Sequence, residues 1–122
     1  MKQRTKEFSK KVVLFCRTLP ENREGRLIGG QLFRSGTSVG SNYRAACRAR
    51  SRADFVSKLG IVEEEADESL FWLELIDEVG TEHGPGLEWL QKEGGEILAM
   101  TVASINTARR TAERAKKSVA AV

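Results

Sequence analysis

The sequence predicts an all-α chain: an antiparallel up-down four-helix bundle, formed as one domain over residues 1–122. Three observations carry that prediction. Apolar residues recur three and four positions apart along four segments, the period of a single helix face. Proline occurs only twice and 30% of the residues are charged, most of them of types that favour helices. The breaks between segments are short, which makes consecutive helices antiparallel neighbours. At this length a modest core forms without disulfides or metals.

The first helix is expected over about residues 5–19. Phe8, Val12, Phe15 and Leu19 step by 4, 3 and 4 into one stripe, with Lys10, Lys11 and Arg17 off it. Pro20 ends it, because an interior proline removes a hydrogen bond and clashes with the preceding turn. After the polar connector Glu21–Gly25, a second helix is expected over about 26–49. Its apolar set (Leu27, Ile28, Leu32, Val39, Ala46) is thin, and Gly29, Gly30, Gly36 and Gly40 weaken it by about 1 kcal/mol each. Packing must offset that loss, so Gly36, Ser38, Gly40 and Ser41 read as a face where another helix comes close. A break into two helices near Gly36–Thr37 is the rival reading.

Ser51 reads as an N-cap, with Asp54 three residues on as the acid of a capping-box-like start. The third helix is expected over 52–79, where Phe55, Leu59, Val62, Ala66, Leu70, Leu73 and Ile76 give the strongest periodic signal in the chain. Residues 80–86 (GTEHGPG) read as a loop, with Gly80 as a C-terminal cap and Pro85 near the next helix start. A fourth helix is expected over about 87–117. Leu87, Leu90, Ile97, Val102, Ile105, Ala108 and Ala112 form its apolar side, and Gly94–Gly95 is a weak point or kink. The tail 118–122 is expected to fray.

Charge is segregated along the chain. Residues 1–62 carry 14 Lys/Arg against 4 Asp/Glu, residues 63–96 carry 1 against 12, and residues 97–122 carry 5 against 1. Such segregation suits subunit pairing, an anionic partner, or neutralisation between helices of one bundle. No run reaches the roughly 20 apolar residues of a membrane span, and VVLFC is short for a signal-peptide core. The expected compartment is the cytoplasm, with Cys16 and Cys47 as reduced, half-buried thiols. No metal or cofactor is expected: His83 is the only histidine, whereas bundle metal sites pair Glu with His three residues on. Ser35, Ser38 and Ser41 have no His or Lys at triad-like spacing. No glycine is followed by the Gly-Lys-Ser/Thr of a nucleotide loop. The chain therefore reads as non-enzymatic.

Two sets of residues are candidates for binding. Arg34, Arg44, Arg48, Arg50 and Arg52 cluster with Lys58 around the turn between helices two and three. Guanidinium groups take phosphate bidentately, and an RNA or DNA backbone held there would release counterions, so affinity would fall with salt. Salt bridges between subunits are the other use of the same charges. Arg109, Arg110, Arg114, Lys116 and Lys117 form a second basic patch, which also suits its own helix C-terminus. On helix three, Glu65 is placed to face an arginine of helix two or of a neighbouring subunit. Phe71 and Trp72 are consecutive and point to different sides, while Leu70 and Leu73 fill the inner stripe. Glu65, Glu68, Phe71 and Trp72 are thus the candidate subunit interface.

The pattern Gln31-Leu32-x-Arg34-Ser35-x-x-Ser38-Val39-x-x-Asn42 is followed by Arg48-x-x-Ser51-x-x-Asp54-Phe55-x-x-Lys58-Leu59 and Glu65-Ala66-x-Glu68-x-x-x-Trp72-Leu73. Together these resemble the 23S rRNA intervening-sequence proteins, also called four helix bundle proteins. That bacterial family includes relatives of the accessory variability proteins of diversity-generating retroelements. The resemblance covers about residues 5–115 and implies a four-helix bundle assembled as a ring-like homopentamer. Through the retroelement relatives it also implies a basic pentamer surface that binds nucleic acid and a reverse transcriptase. The chain departs from the usual pattern at Gly36, Gly40 and Ala45–Cys47, and is acidic across helix three. The expected function is an oligomeric bundle that binds RNA or DNA through its arginines. The alternative is a structural or docking subunit, for example for a reverse transcriptase, without direct nucleic-acid contact.

Overall fold

The computed structural model describes residues 1–80 and 84–120. Those residues form four helices and no strand: α1 (Lys2–Cys16), α2 (Arg23–Cys47), α3 (Arg52–Val79) and α4 (Pro85–Ala120). Each helix packs on the next, and α1 closes onto α4. Gly40 lies against Thr5, Gly36 against Val12 and Gly29 against Leu19, so α1 and α2 run in opposite senses. Ser35 meets Ser69 while Ala46 shares a cluster with Leu59, which sets α3 antiparallel to α2.

The helix limits follow local chemistry. α1 ends at Cys16 and not at Leu19, because the residue before a proline is pushed away from helical backbone. Thr18 and Leu19 instead close tight turns onto Phe15 and Cys16. α2 begins at Arg23 and not at 26: the Asn22 side chain accepts from the Gly25 N–H at 2.8 Å and caps it. It then runs unbroken through Gly36–Thr37 to Cys47, so the two-helix rival fails. Ser51 caps α3 by accepting from the Asp54 N–H at 3.1 Å. α4 extends from Pro85 to Ala120 and not from 87 to 117, and residues 118–120 are helical rather than frayed. The expected loop falls partly on Thr81, Glu82 and His83, which lie outside the described residues, as do Ala121 and Val122.

Glycine explains how α1 and α2 approach. A Cβ on Gly36 would come 2.6 Å from Val12 Cγ1, and one on Gly40 would come 2.6 Å from Ser9 Oγ. That Oγ donates to the Gly36 carbonyl (2.7 Å) and accepts from the Gly40 N–H (3.0 Å). Ser38 and Ser41 do not share this face; they are half-buried and exposed. α4 passes through Gly94–Gly95 without a break, with Gly94 buried against Phe8 and Leu70.

The core falls into two clusters. The larger joins all four helices through Phe8 and Val12, Leu32 and Val39, Val62 and Leu73, and Leu90 and Ile97. The smaller consists of Ala46, Leu59 and Ile105, with Tyr43, Phe55 and Val56 packed on it, and contains no residue of α1. At its first turn α1 lies beside Gly40 and reaches α4 through Arg4 at Met100. The bundle is therefore four helices thick at one end and three at the other.

Candidate nucleic-acid interface

Antiparallel order brings the C-terminus of α2, the N-terminus of α3 and the last turns of α4 to the three-helix end. Arg44 sits in the last turn of α2, Arg48 and Arg50 in the turn, and Arg52 at the first position of α3. All four are exposed. Arg109 and Lys116 line the same groove as Arg52. The two basic patches, separate in sequence, thus meet at one end of the fold.

The six residues expected to hold phosphate do not behave alike. Arg34 lies higher on α2 and spans to α3, where it pairs with Glu65 at 3.1 Å and with Glu68. Lys58 is held by the Asp54 carboxylate at 2.7 and 2.9 Å. That hydrogen bond holds Asp54 below the usual carboxylate range, and attraction to Arg50 adds to it against a desolvation penalty. Arg44, Arg48 and Arg52 make no ion pair among the described residues. Two of the six charges are therefore neutralised within the chain, and the remainder point outward at one end.

The four residues expected at a subunit interface also divide. Glu65 and Glu68 are engaged by Arg34 of the same chain. Phe71 is 52% exposed, whereas Trp72 is half-buried and packs on the large core cluster. The two rings meet edge to face at 5.0 Å. Trp72 Nε1 is buried without a hydrogen-bond partner.

An ion pair that the sequence did not suggest joins α1 to α4. Arg4 donates to both oxygens of Glu93 at 2.9 and 2.7 Å and also reaches Glu96. Its guanidinium holds Glu93 below the usual carboxylate range, against a desolvation penalty. Both cysteines are free; Cys16 is half-buried and burial pushes its thiol up to about 11, while Cys47 is exposed rather than half-buried. Among the described residues, no group of three or more His, Cys, Asp or Glu is placed to hold a metal. No described helix is long and apolar enough to cross a membrane.

An open apolar groove lies at the basic end. Ala53 and Val56 of α3 face Ala108, Ala112, Ala115 and Val119 of α4, and Arg52, Arg109 and Lys116 stand at its rim. It is open because α1 does not extend over this end, while α4 continues past the start of α3.

No curated protein matches this sequence. Among solved structures, the chain is similar to a protein of unknown function from the S23 ribosomal protein family of Bacteroides thetaiotaomicron VPI-5482. The two are 34% identical with a TM-score of 0.78, over 85% of this chain and 96% of the other. The description "23S rRNA-intervening sequence protein" matches residues 1–103. With that match, and with the four-helix order that the sequence motif implied, this chain belongs to the 23S rRNA-intervening sequence protein family.

Proposed function

We propose that this chain is a non-enzymatic, self-associating bundle that binds the phosphate backbone of RNA or DNA through its basic end, in the cytoplasm. The observation that supports this most is the separation of used from unused charge. Arg34 and Lys58 are neutralised by carboxylates of their own chain, while Arg44, Arg48 and Arg52 make no ion pair among the described residues. Arginine forks suit phosphate oxygens, and contacts to phosphate carry no base sequence directly. Four arginines on single-stranded RNA imply a log–log salt slope of about −3.

The assembly that fits the family is a ring-like homopentamer, which needs two different patches on each subunit. A mass near 13.5 kDa by light scattering overturns self-association. Labelled RNA titrated from low to moderate salt should bind and weaken linearly on a log–log plot. Reversal of Arg44, Arg48 and Arg50 to Glu should abolish binding while helix content is kept. Binding that survives the triple reversal removes the arginine end from the reading. Absence of binding at low salt leaves a second reading, favoured by the apolar groove at the same end: a docking subunit for a protein such as a reverse transcriptase.

A further inference from the structure

We infer that the groove between the start of α3 and the end of α4 receives the acidic outer face of α3 from a second copy of this chain, head to tail. The inference rests on the self-association proposed above and names the two surfaces that meet. The groove is an uncovered helix–helix seam. Its floor is apolar, from Ala53 and Val56 on one side to Ala112 and Val119 on the other, and Val119 is 77% exposed. Among the described residues that line it, the charged ones are all positive: Arg52, Arg109 and Lys116. The α4 wall lies beyond residues 1–103, the part of the chain shared with the family description, so the shared fold does not account for it.

A complementary surface exists on the same molecule, facing outward. Ile61, Glu64, Asp67, Phe71, Glu74 and Glu78 are all exposed on α3 and step by 3, 3, 4, 3 and 4 along one stripe. Ile61 and Phe71, 41% and 52% exposed, supply two apolar anchors among four acids. Those acids make no ion pair among the described residues. An amphipathic helix face with anchors at such spacing is what an apolar groove accepts. Charge decides the partner's orientation. Groove against groove would oppose positive rims, and face against face would oppose acids, so like pairings are disfavoured and the unlike pairing is left. Two unlike patches on one chain form a heterologous contact, which propagates into a ring or a filament.

The test uses two charge-reversal variants of the full chain. The groove variant carries Arg109→Glu with Lys116→Glu, and the face variant carries Asp67→Lys with Glu74→Lys. All four positions are exposed, and circular dichroism confirms that helix content is kept. Light scattering should show each variant falling toward 13.5 kDa. An equimolar mixture should regain the wild-type mass, because the intact face of one variant meets the intact groove of the other, and the reversed face and reversed groove are again opposite in charge. Variants that keep the wild-type mass, or a mixture that stays monomeric, overturn this interface and leave self-association standing. A wild-type chain that is itself monomeric overturns both, and leaves the groove to an acidic helix of another protein. The triple reversal at Arg44, Arg48 and Arg50 should leave the mass unchanged, which separates assembly from nucleic-acid binding.

Discussion

The two ends of this bundle are made from the same helices and differ in how completely those helices close. Where α1 is present, residues of all four helices bury one another, and hydroxyl groups tie neighbouring helices together, Ser9 donating to the Gly36 carbonyl and Ser69 to Ser35 Oγ at 3.0 Å. Where α1 is absent, the buried cluster shrinks to three residues and a groove stays open beside it. Charge follows the same division. Arg4 and Arg34 bridge neighbouring helices beside the closed core, while Arg44, Arg48 and Arg52 at the open end make no ion pair among the described residues. One end holds the fold together, and the other has side chains to spare for a partner.

The largest expected effect tests that division directly. Phe8 is fully buried in the four-helix cluster, so Phe8→Ala should destabilise the chain by about 3–5 kcal/mol through lost burial and the cavity left behind. Val56 lines the groove and is only half-buried, so Val56→Ala should cost about 1 kcal/mol or less. Urea unfolding of both variants gives the comparison. Losses within about 1 kcal/mol of each other would mean that the ends do not differ as described.

A smaller effect with a change of sign sharpens it. Alanine at Gly36 would place its Cβ against the branched, stiff Val12 side chain, which has no room to turn aside. Such overpacking costs about 1–3 kcal/mol. Gly30, on the same helix, has nothing within 4 Å of an added Cβ. Gly30→Ala should therefore stabilise by about 0.5–1 kcal/mol through helix propensity alone. The midpoints in urea should move in opposite directions; a shared direction would remove the close approach of α1 as the reason for Gly36.

Much of this is legible in the sequence itself, and the remainder is not, for physical reasons. The limits of α3 follow from the Ser51 cap and an unbroken apolar stripe, both local signals. That another helix comes close at Gly36 and Gly40 follows from glycines too many for an unpacked helix, but which helix it is, and that Ser38 and Ser41 stand off that face, does not. The Asn22 cap was equally local, but a helix start placed by apolar residues passes over a polar first turn. What local signals do not carry is register between distant helices. Arg4 meets Glu93 across 89 positions, and no spacing rule reaches that far. The union of the two basic patches likewise depends on how far α4 overruns α3. The engagement of Arg34 by Glu65 and Glu68 was open to two partners until the helix faces were placed.

The smallest expected effect concerns the boundary between the ends. The first turn of α1 has no acidic residue and no side-chain cap, and its basic residues oppose the helix dipole. Arg4 ties this weak start to α4 through Glu93. The hydrogen bond from Arg4 holds the Glu93 carboxyl below the ordinary glutamate value of 4.5, against a smaller desolvation penalty. A carboxyl depressed in the folded state adds stability that is complete above its unfolded value. That stability is lost as pH falls through the lower, folded value. Glu93→Gln should therefore be less stable than wild type at pH 7 by about 0.5 kcal/mol, the screened worth of a pair partly open to solvent. The gap should close below pH 4.5, and a gap unchanged between pH 7 and pH 3 would contradict the assignment to this carboxylate. Hydrogen exchange supplies the structural half of the test. Amides in the first turns of α1 should exchange faster in Glu93→Gln, lengthening the open end at the expense of the closed one. Equal protection in the two proteins would mean that packing of Phe8 and Val12 alone sets where the fourth helix begins.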